Sequence, residues 1–155
     1  MIVVSDTSGL SVLITVGRED LLPKLFQKVY IPEAVRRELQ PFHPKLPAWL
    51  ECLTVSKGKE KTPGHLGEGE WEAILLAEQT RADLLLMDEK PGRRVAKGRG
   101  LQVIGVLGVL VQAKKEGLIG ELGPLLQEMV STAGFFLSPD LLQAALRSVN
   151  EKPQT

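Results

Sequence analysis

The chain has one cysteine, Cys52, and two histidines, His43 and His65. A lone thiol excludes an internal disulfide and a multi-cysteine zinc site, and it suits a reducing compartment. Aromatic side chains are only 5% of the residues, too few to supply a stacking platform for single strands. An excess of one charge is missing too. Nineteen lysines and arginines balance nineteen aspartates and glutamates, so net charge makes no case for a nucleic-acid binder and local charge has to decide. No apolar run reaches the ~18–20 residues that span a bilayer. The start, MIVVSDTSG, lacks the basic segment, apolar stretch and cleavage site of a signal peptide. These absences predict a cytoplasmic chain with no membrane association. What is present is 43% apolar residues in a chain of 155, enough for one sizeable core, with 25% charged residues arguing against disorder.

Short apolar runs at Ile2–Ser5, Val29–Ile31, Cys52–Val55, Leu84–Met87 and Gln102–Ile104 read as strands. Segments with helical periodicity alternate with them. Leu84–Met87 is a continuous apolar run, as a parallel strand covered on both faces requires. The pattern predicts an α/β fold, an α/β/α sandwich around a mainly parallel sheet. Residues 1–119 form the expected core, 120–150 an additional C-terminal helical extension packed on the same domain, and 151–155 a polar tail. Lys57–Gly69 is polar and turn-rich and reads as a loop. In such folds sites lie outside the carboxyl ends of the strands. Asp6 and Asp88 each follow a strand there.

A helical wheel picks out two further acids. In the helix from Glu70, residues Ala73, Ile74 and Ala77 lie within about 60° of Glu70, so it heads a small apolar stripe, whereas Glu72 lies about 200° away. Glu38 has Ala34 and Val35 as its i−4 and i−3 neighbours and leans inward in the same way. Either Thr7 or Ser8 is placed to cap the following helix. An aspartate after a strand often only caps a helix, and a glutamate early in a helix often only complements its dipole. Four such acids on one sheet edge are harder to explain so. Carboxylates about 5 Å apart repel by ~3 kcal/mol at an effective dielectric near 20, which protonation or a cation must relieve. Oxygen donors without His or Cys suit Mg²⁺ or Mn²⁺, a cofactor that activates water for attack on a phosphodiester.

The stretches Val4-Ser-Asp-Thr-Ser-Gly-Leu10, Ile31-Pro-Glu-Ala-Val-Arg-Arg-Glu-Leu39, Gly69-Glu-Trp-Glu-Ala-Ile-Leu-Leu-Ala77 and Leu84-Leu-Leu-Met-Asp-Glu-Lys-Pro-Gly-Arg-Arg-Val-Ala96 resemble, in order and spacing, the PIN-domain family. The resemblance spans roughly residues 2–119 and is nearest to a prokaryotic subgroup of mostly unassigned role. It implies a metal-dependent nuclease, most simply an endoribonuclease, with the family's acids at Asp6, Glu38, Glu70 and Asp88. Asp6, Asp88 and Glu70 would serve the metal. Thr7 and Ser8 would orient the Asp6 carboxylate or a metal water. It further implies RNA as substrate and, for a toxin of a toxin–antitoxin pair, an antitoxin protein as partner; the apolar stripes of the C-terminal helices, Leu125, Leu126, Met129 and Val130, then Leu141, Leu142, Ala145 and Leu146, read as core cover or as the face of a homodimer or an antitoxin groove. Two departures stand out: the third acid is a glutamate where aspartate is common, and Asp88 is followed by Glu89 and Lys-Pro-Gly-Arg-Arg where many active relatives have a short loop and an aromatic.

Lys90, Arg93, Arg94, Lys97 and Arg99 form a run free of negative charge, a candidate clamp in which Arg93, Arg94 and Lys97 contact substrate phosphates. Lys57, Lys59 and Lys61 could extend the track, although a solvated loop is the simpler reading. His43 and His65 read as surface residues. The glycines around Gly98–Gly108 match no nucleotide-binding pattern. Two rivals remain: a catalytically weak module binding RNA or a protein partner, and a phosphoacceptor receiver domain. The receiver is disfavoured because Thr-Ser, not a second acid, follows Asp6.

Overall fold

A computed structural model describes residues 1–58 and 60–152. The chain begins with strand β1 (Ile2–Ser5), helices α1 (Thr7–Thr15) and α2 (Leu21–Leu25), and strand β2 (Lys28–Pro32). Helix α3 (Glu33–Leu39), β3 (Leu50–Leu53), α4 (Glu68–Gln79), β4 (Leu84–Leu86), α5 (Lys90–Gly98) and β5 (Val103–Ile104) follow. Helices α6 (Val106–Lys115), α7 (Leu122–Ala133) and α8 (Pro139–Ser148) complete the described chain. All strand pairs are parallel, in the order β3-β2-β1-β4-β5. The fold is the expected α/β/α sandwich. Among the described residues no helix is long and apolar enough to cross a membrane.

Alternation along the strands assigns the two layers. Val3, Val29, Ile31 and Leu86 enter one core with residues of α1, α2, α6, α7 and α8; Val4, Leu85 and Met87 enter the other with α4 and α5. Helix α7 packs on α1 and α6, and α8 packs on α6, so Leu126, Met129 and Leu146 belong to the first core. The chain builds outward from β1 to β3 and then crosses back to place β4 on the other side of β1. Strand order therefore reverses between β1 and β4. The crevice at that reversal is where open parallel sheets take ligands.

Three local expectations are corrected. The third strand is Leu50–Leu53, not Cys52–Val55, because its pairing with β2 runs Val29 to Leu50 through Pro32 to Leu53. Pro32, a residue type that suits the first turn of the helix following it, instead ends that strand and precedes α3. Helix α4 has no single buried stripe: every residue from Trp71 to Ala77 is buried, Glu72 included, because α3, α5 and the sheet surround it.

Candidate active site

The register of β1 on β4 pairs Ser5 with Leu86, and the Asp6 amide donates to the Leu86 carbonyl at 3.1 Å. The ladder thus delivers Asp6 and, two residues beyond Leu86, Asp88 to the crevice. Asp6 is itself the N-cap of α1, so neither Thr7 nor Ser8 is needed for that: its Oδ1 accepts from the Gly9 amide at 3.3 Å. It is only 2% exposed. Burial pushes its pKa up to about 8, with Asp88, Glu70 and Glu89 adding to the rise and the Gly9 N–H opposing it. A carboxyl group capping a helix would ordinarily be held low. Here the crowd of acids and the loss of water win.

Asp88 has both oxygens 3.2 Å from the Val106 amide and so caps α6, whose N-cap residue Gly105 has no side chain to do so. Burial raises its pKa as well, against the Val106 N–H and Arg93, with Glu89 adding to the rise. Glu70 folds back so that Oε1 accepts from the Gly67 amide at 3.0 Å. Its Oε2 is buried and has no hydrogen-bond partner. Glu38 accepts from Thr7 Oγ1 at 3.1 Å; partial burial raises its pKa, Thr7 opposes this, and Glu68 and Glu70 reinforce it. Thr7 therefore steadies Glu38, not Asp6 as the sequence suggested. That contact ties the end of β1 to α3.

Two adjoining cavities divide the acids. The narrower, 320 Å³, is lined by Asp6, Thr7, Ser8, Ser11, Glu38, Leu39, Phe42, Gly67, Glu70 and Glu89. The wider, 1320 Å³, holds Asp88, Lys90 and Arg93 on one wall and apolar residues of α6, α8 and the α7–α8 connection on the other. Ser8 and Glu89 line both. Among the described residues no three His, Cys, Asp or Glu side chains are gathered closely enough to hold an ion together. The acids share a crevice without forming a finished ligand set.

A family model described as a PIN domain matches residues 2–151. The chain belongs to the PIN-domain family. No curated protein matches it. A solved structure, a PilT N-terminus domain protein from the hyperthermophilic archaeon Sulfolobus solfataricus, is similar in fold: TM-score 0.54, 21% identity, covering 73% of this chain and 93% of that one. PIN domains are in general nucleases, which supports a hydrolase of phosphodiesters as the broad class.

In this PIN domain the basic run of α5 is divided. Arg93 is half-buried, donates to the Met87 carbonyl at 3.0 Å and lies beside Asp88. Arg94 and Lys97 are exposed and line neither cavity. Arg99 is paired with Glu78 at 2.7 Å and Glu60 at 3.4 Å, and lies 5.0 Å from the Trp71 ring centroid. It is a structural residue. Lys57 is held by Glu68 and Glu72, Lys61 is exposed, and Lys59 lies outside the described residues. His43 is half-buried, its Nε2 sharing a hydrogen bond of 2.9 Å with Ser11 Oγ, while His65 is exposed as expected. Glu89 is the site residue that sequence reasoning treated only as a departure. Its place directly after Asp88, on the same sheet edge, was the available signal.

Glycines admit the carboxylates. A Cβ at Gly105 would come within 2.6 Å of Asp88 Oδ1, one at Gly92 within 2.8 Å of Glu70 Oε2, and one at Gly69 would fall on the Glu38 carboxyl group. Glu38 is a long, exposed side chain that can swing away, and alanine suits a helix better than glycine. Gly69→Ala is therefore expected to unfold within about 2 °C of the wild type, since helix-propensity changes are below about 1 kcal/mol. It is also expected to lose as much turnover as Glu38→Ala, about ten- to a hundredfold. Thermal unfolding beside an activity assay checks both, and unchanged turnover would remove Glu38 from the site.

Proposed function

We propose that this PIN domain is a Mg²⁺- or Mn²⁺-dependent phosphodiesterase acting on RNA, an endoribonuclease. The observation that carries the reading is the pair of strand-end aspartates at the sheet's reversal, Asp6 buried and Asp88 half-buried, with Glu70 presenting an unpartnered buried oxygen next to them. The donor set fits a hard cation: carboxylates only, with raised pKa values at Asp6 and Asp88 that a positive charge would relieve. Magnesium keeps several waters and needs only one or two carboxylates, so a looser arrangement of acids is compatible with it. Asp6, Asp88 and Glu70 would hold the ion, and Glu38 and Glu89 would complete the negative wall. When bound, the ion supplies polarisation of a phosphoryl oxygen and a water of lowered pKa.

The chain's own groups do the positioning. The Gly9 and Val106 amides fix Asp6 and Asp88, and Thr7 fixes Glu38. Arg93, anchored on Met87, sets a positive charge beside Asp88 where a substrate phosphate would arrive. A toxin role with an antitoxin partner is a narrower form of the same reading, tested by growth arrest on expression and its relief by Asp6→Asn.

The test is cleavage of a panel of unpaired and paired RNAs with Mn²⁺. Asp88→Asn and Glu70→Gln should lower turnover at least about a hundredfold, the scale of losing one oriented charge at a reacting centre. A second reading, a module that binds RNA or protein without cleaving, is favoured by the unassembled state of the acids. It gains if the wild type binds RNA, cleaves none, and has an unfolding temperature that Mn²⁺ leaves unchanged.

A further inference from the structure

The narrow cavity has no lysine or arginine in its lining. Asp6, Glu38, Glu70 and Glu89 give it its charge, and the hydroxyls of Thr7, Ser8 and Ser11 are the side chains there that can donate a hydrogen bond. The wide cavity differs, with Lys90 and Arg93 on its wall. A phosphodiester backbone lying across both therefore meets cations on one side and hydroxyls on the other. Thr7 is already bonded to Glu38 at 3.1 Å. Ser11 lies one helical turn further along the same face of α1, within about 6 Å of Thr7 at Cβ. Its partner is a different one.

Ser11 Oγ is 2.9 Å from His43 Nε2. Both ends of that contact rest on fixed backbone. The His43 amide donates to the Leu39 carbonyl at 2.8 Å, closing the turn after α3, and the Ser11 carbonyl accepts from Thr15 Oγ1 at 2.8 Å within α1. His43 is half-buried and lines neither cavity, so its route to the crevice is Ser11.

Two arrangements of hydrogens satisfy the bond. Either Ser11 donates to a bare Nε2 and turns its lone pairs to the acids, or Nε2–H donates to Ser11 and the hydroxyl proton points into the cavity. The surroundings select the second. Helix α1 carries no charged residue, and the segment from α3 to β3 adds only Lys45, which is exposed. The α3 arginines are paired, Arg36 with Glu33 at 2.6 Å and Arg37 with Glu68 at 3.3 Å. The charged groups that share the cavity with Ser11 are Asp6 before α1, Glu38 on α3, Glu70 on α4 and Glu89 before α5. Four acids favour a donor aimed at them and a positive imidazole behind it. Among the described residues no ion pair ties the His43 ring to another acid.

We propose that Ser11, backed by His43, binds substrate phosphate on the narrow side of the crevice: His43 donates to Ser11, and Ser11 donates to a non-bridging oxygen of the backbone. The inference rests on the phosphodiesterase reading above and deepens it, naming a binding residue for the side that has no lysine or arginine. Ser11 touches the substrate, and His43 is a positioning residue that acts through it. Imidazole changes charge in the neutral range, so the bond to phosphate is strongest at the acid end of that range and weakens as the pH rises.

The experiment has two arms on the full chain. The first is NMR of the labelled imidazole nitrogens in EDTA; the chain has two histidines, and His65→Gln assigns them. At pH 7 His43 Nε2 should carry a proton, and Ser11→Ala should shift the His43 signals and leave those of exposed His65 in place. A bare Nε2, or His43 signals that ignore Ser11→Ala, overturns the proposal.

The second arm follows RNA cleavage from about pH 5.5 to 8, the range that spans imidazole titration, with Mn²⁺ saturating throughout. Wild-type KM should rise about tenfold across it, the scale of a charge-assisted hydrogen bond becoming a neutral one. His43→Gln keeps an N–H for Ser11 without the charge, so its KM should be flat at the wild type's high-pH value. Ser11→Ala should raise KM about tenfold at pH 5.5 with kcat little changed, and Ser11→Thr should restore it. A wild-type KM that ignores pH, or a His43→Gln KM that follows the wild-type curve, overturns the proposal and leaves the nuclease reading standing. If no RNA is cut, the nuclease reading fails on its own and the dissociation constant of the uncut strand replaces KM. The same dependence on pH and on the variants then supports the pair, and its absence, or no binding at all, overturns it.

Discussion

Asp6→Asn makes the metal-free protein more stable, and the gain grows as the pH is raised. The unfolded chain titrates Asp6 near 3.9, whereas burial and the neighbouring acids hold it at about 8 in the fold. Between those values the folded protein keeps a proton that the unfolded one has released. Unfolding free energy therefore falls as pH rises through this window, and the full penalty is present above it. Each unit of difference corresponds to about 1.4 kcal/mol, so a penalty of a few kcal/mol at pH 8.5 is the right order. Asparagine keeps an oxygen for the Gly9 amide and never ionises. In EDTA, unfolding of variant and wild type should nearly coincide at pH 4 and separate by roughly 5–10 °C at pH 8.5. A separation that does not depend on pH would contradict the burial argument.

Mn²⁺ should reverse the order. A cation favours the ionised form, so saturating metal stabilises the wild type, by ~2.7 kcal/mol at a hundred times its dissociation constant, and leaves Asp6→Asn nearly unmoved. Because the ion must displace a proton from Asp6, its apparent affinity should rise with pH until about pH 8 and then level off. The residue is thus a destabilising element of the empty fold and a candidate ligand at once. Sites built for chemistry often carry strain of this kind.

The parts of this site that could be read in advance were those set by short-range pattern. Strand-end aspartates are visible because a strand-like run stops at a charge, and Ile2–Ser5 and Leu84–Met87 end at Asp6 and Asp88 in that way. Periodicity also located Glu38 and Glu70 on their helices. It could not set strand order, and so could not show that Asp6 and Asp88 flank the one reversal in the sheet. Partners chosen in three dimensions were equally hidden: Thr7 reaches Glu38 across 31 positions, and Arg93 turns to a main-chain carbonyl instead of to solvent.

The wheel also separated Glu70 from Glu72 correctly as two faces, yet gave no hint that Glu72 is the more deeply buried, because α4 has no solvent face along that stretch. The two acids should respond to mutation in opposite ways. Glu72 Oε1 accepts from the Ala34 amide at 3.2 Å, serving the start of α3, whose preceding residue Pro32 offers no side-chain cap. Its Oε2 meets Lys57 Nζ at 2.8 Å. Glu72→Ala strands a buried N–H and opens a cavity, while Lys57, 43% exposed, recovers water and limits the electrostatic part of the loss. The expected destabilisation is about 2–3 kcal/mol. Glu72→Gln keeps the Ala34 bond and should cost about 1 kcal/mol. Glu70→Ala loses only the exposed bond to Gly67, and it also removes a buried unpartnered oxygen and a negative neighbour of Asp6 and Glu38. Its stability should change by less than about 0.5 kcal/mol, in either direction. Urea unfolding in EDTA measures all three. Turnover should then follow the opposite ranking, with Glu72→Ala active wherever it is folded and Glu70→Ala inactive though fully folded. If Glu72→Ala lost turnover at full folding and Glu70→Ala did not, the assignment of Glu70 to the chemistry and Glu72 to the architecture would have to be exchanged.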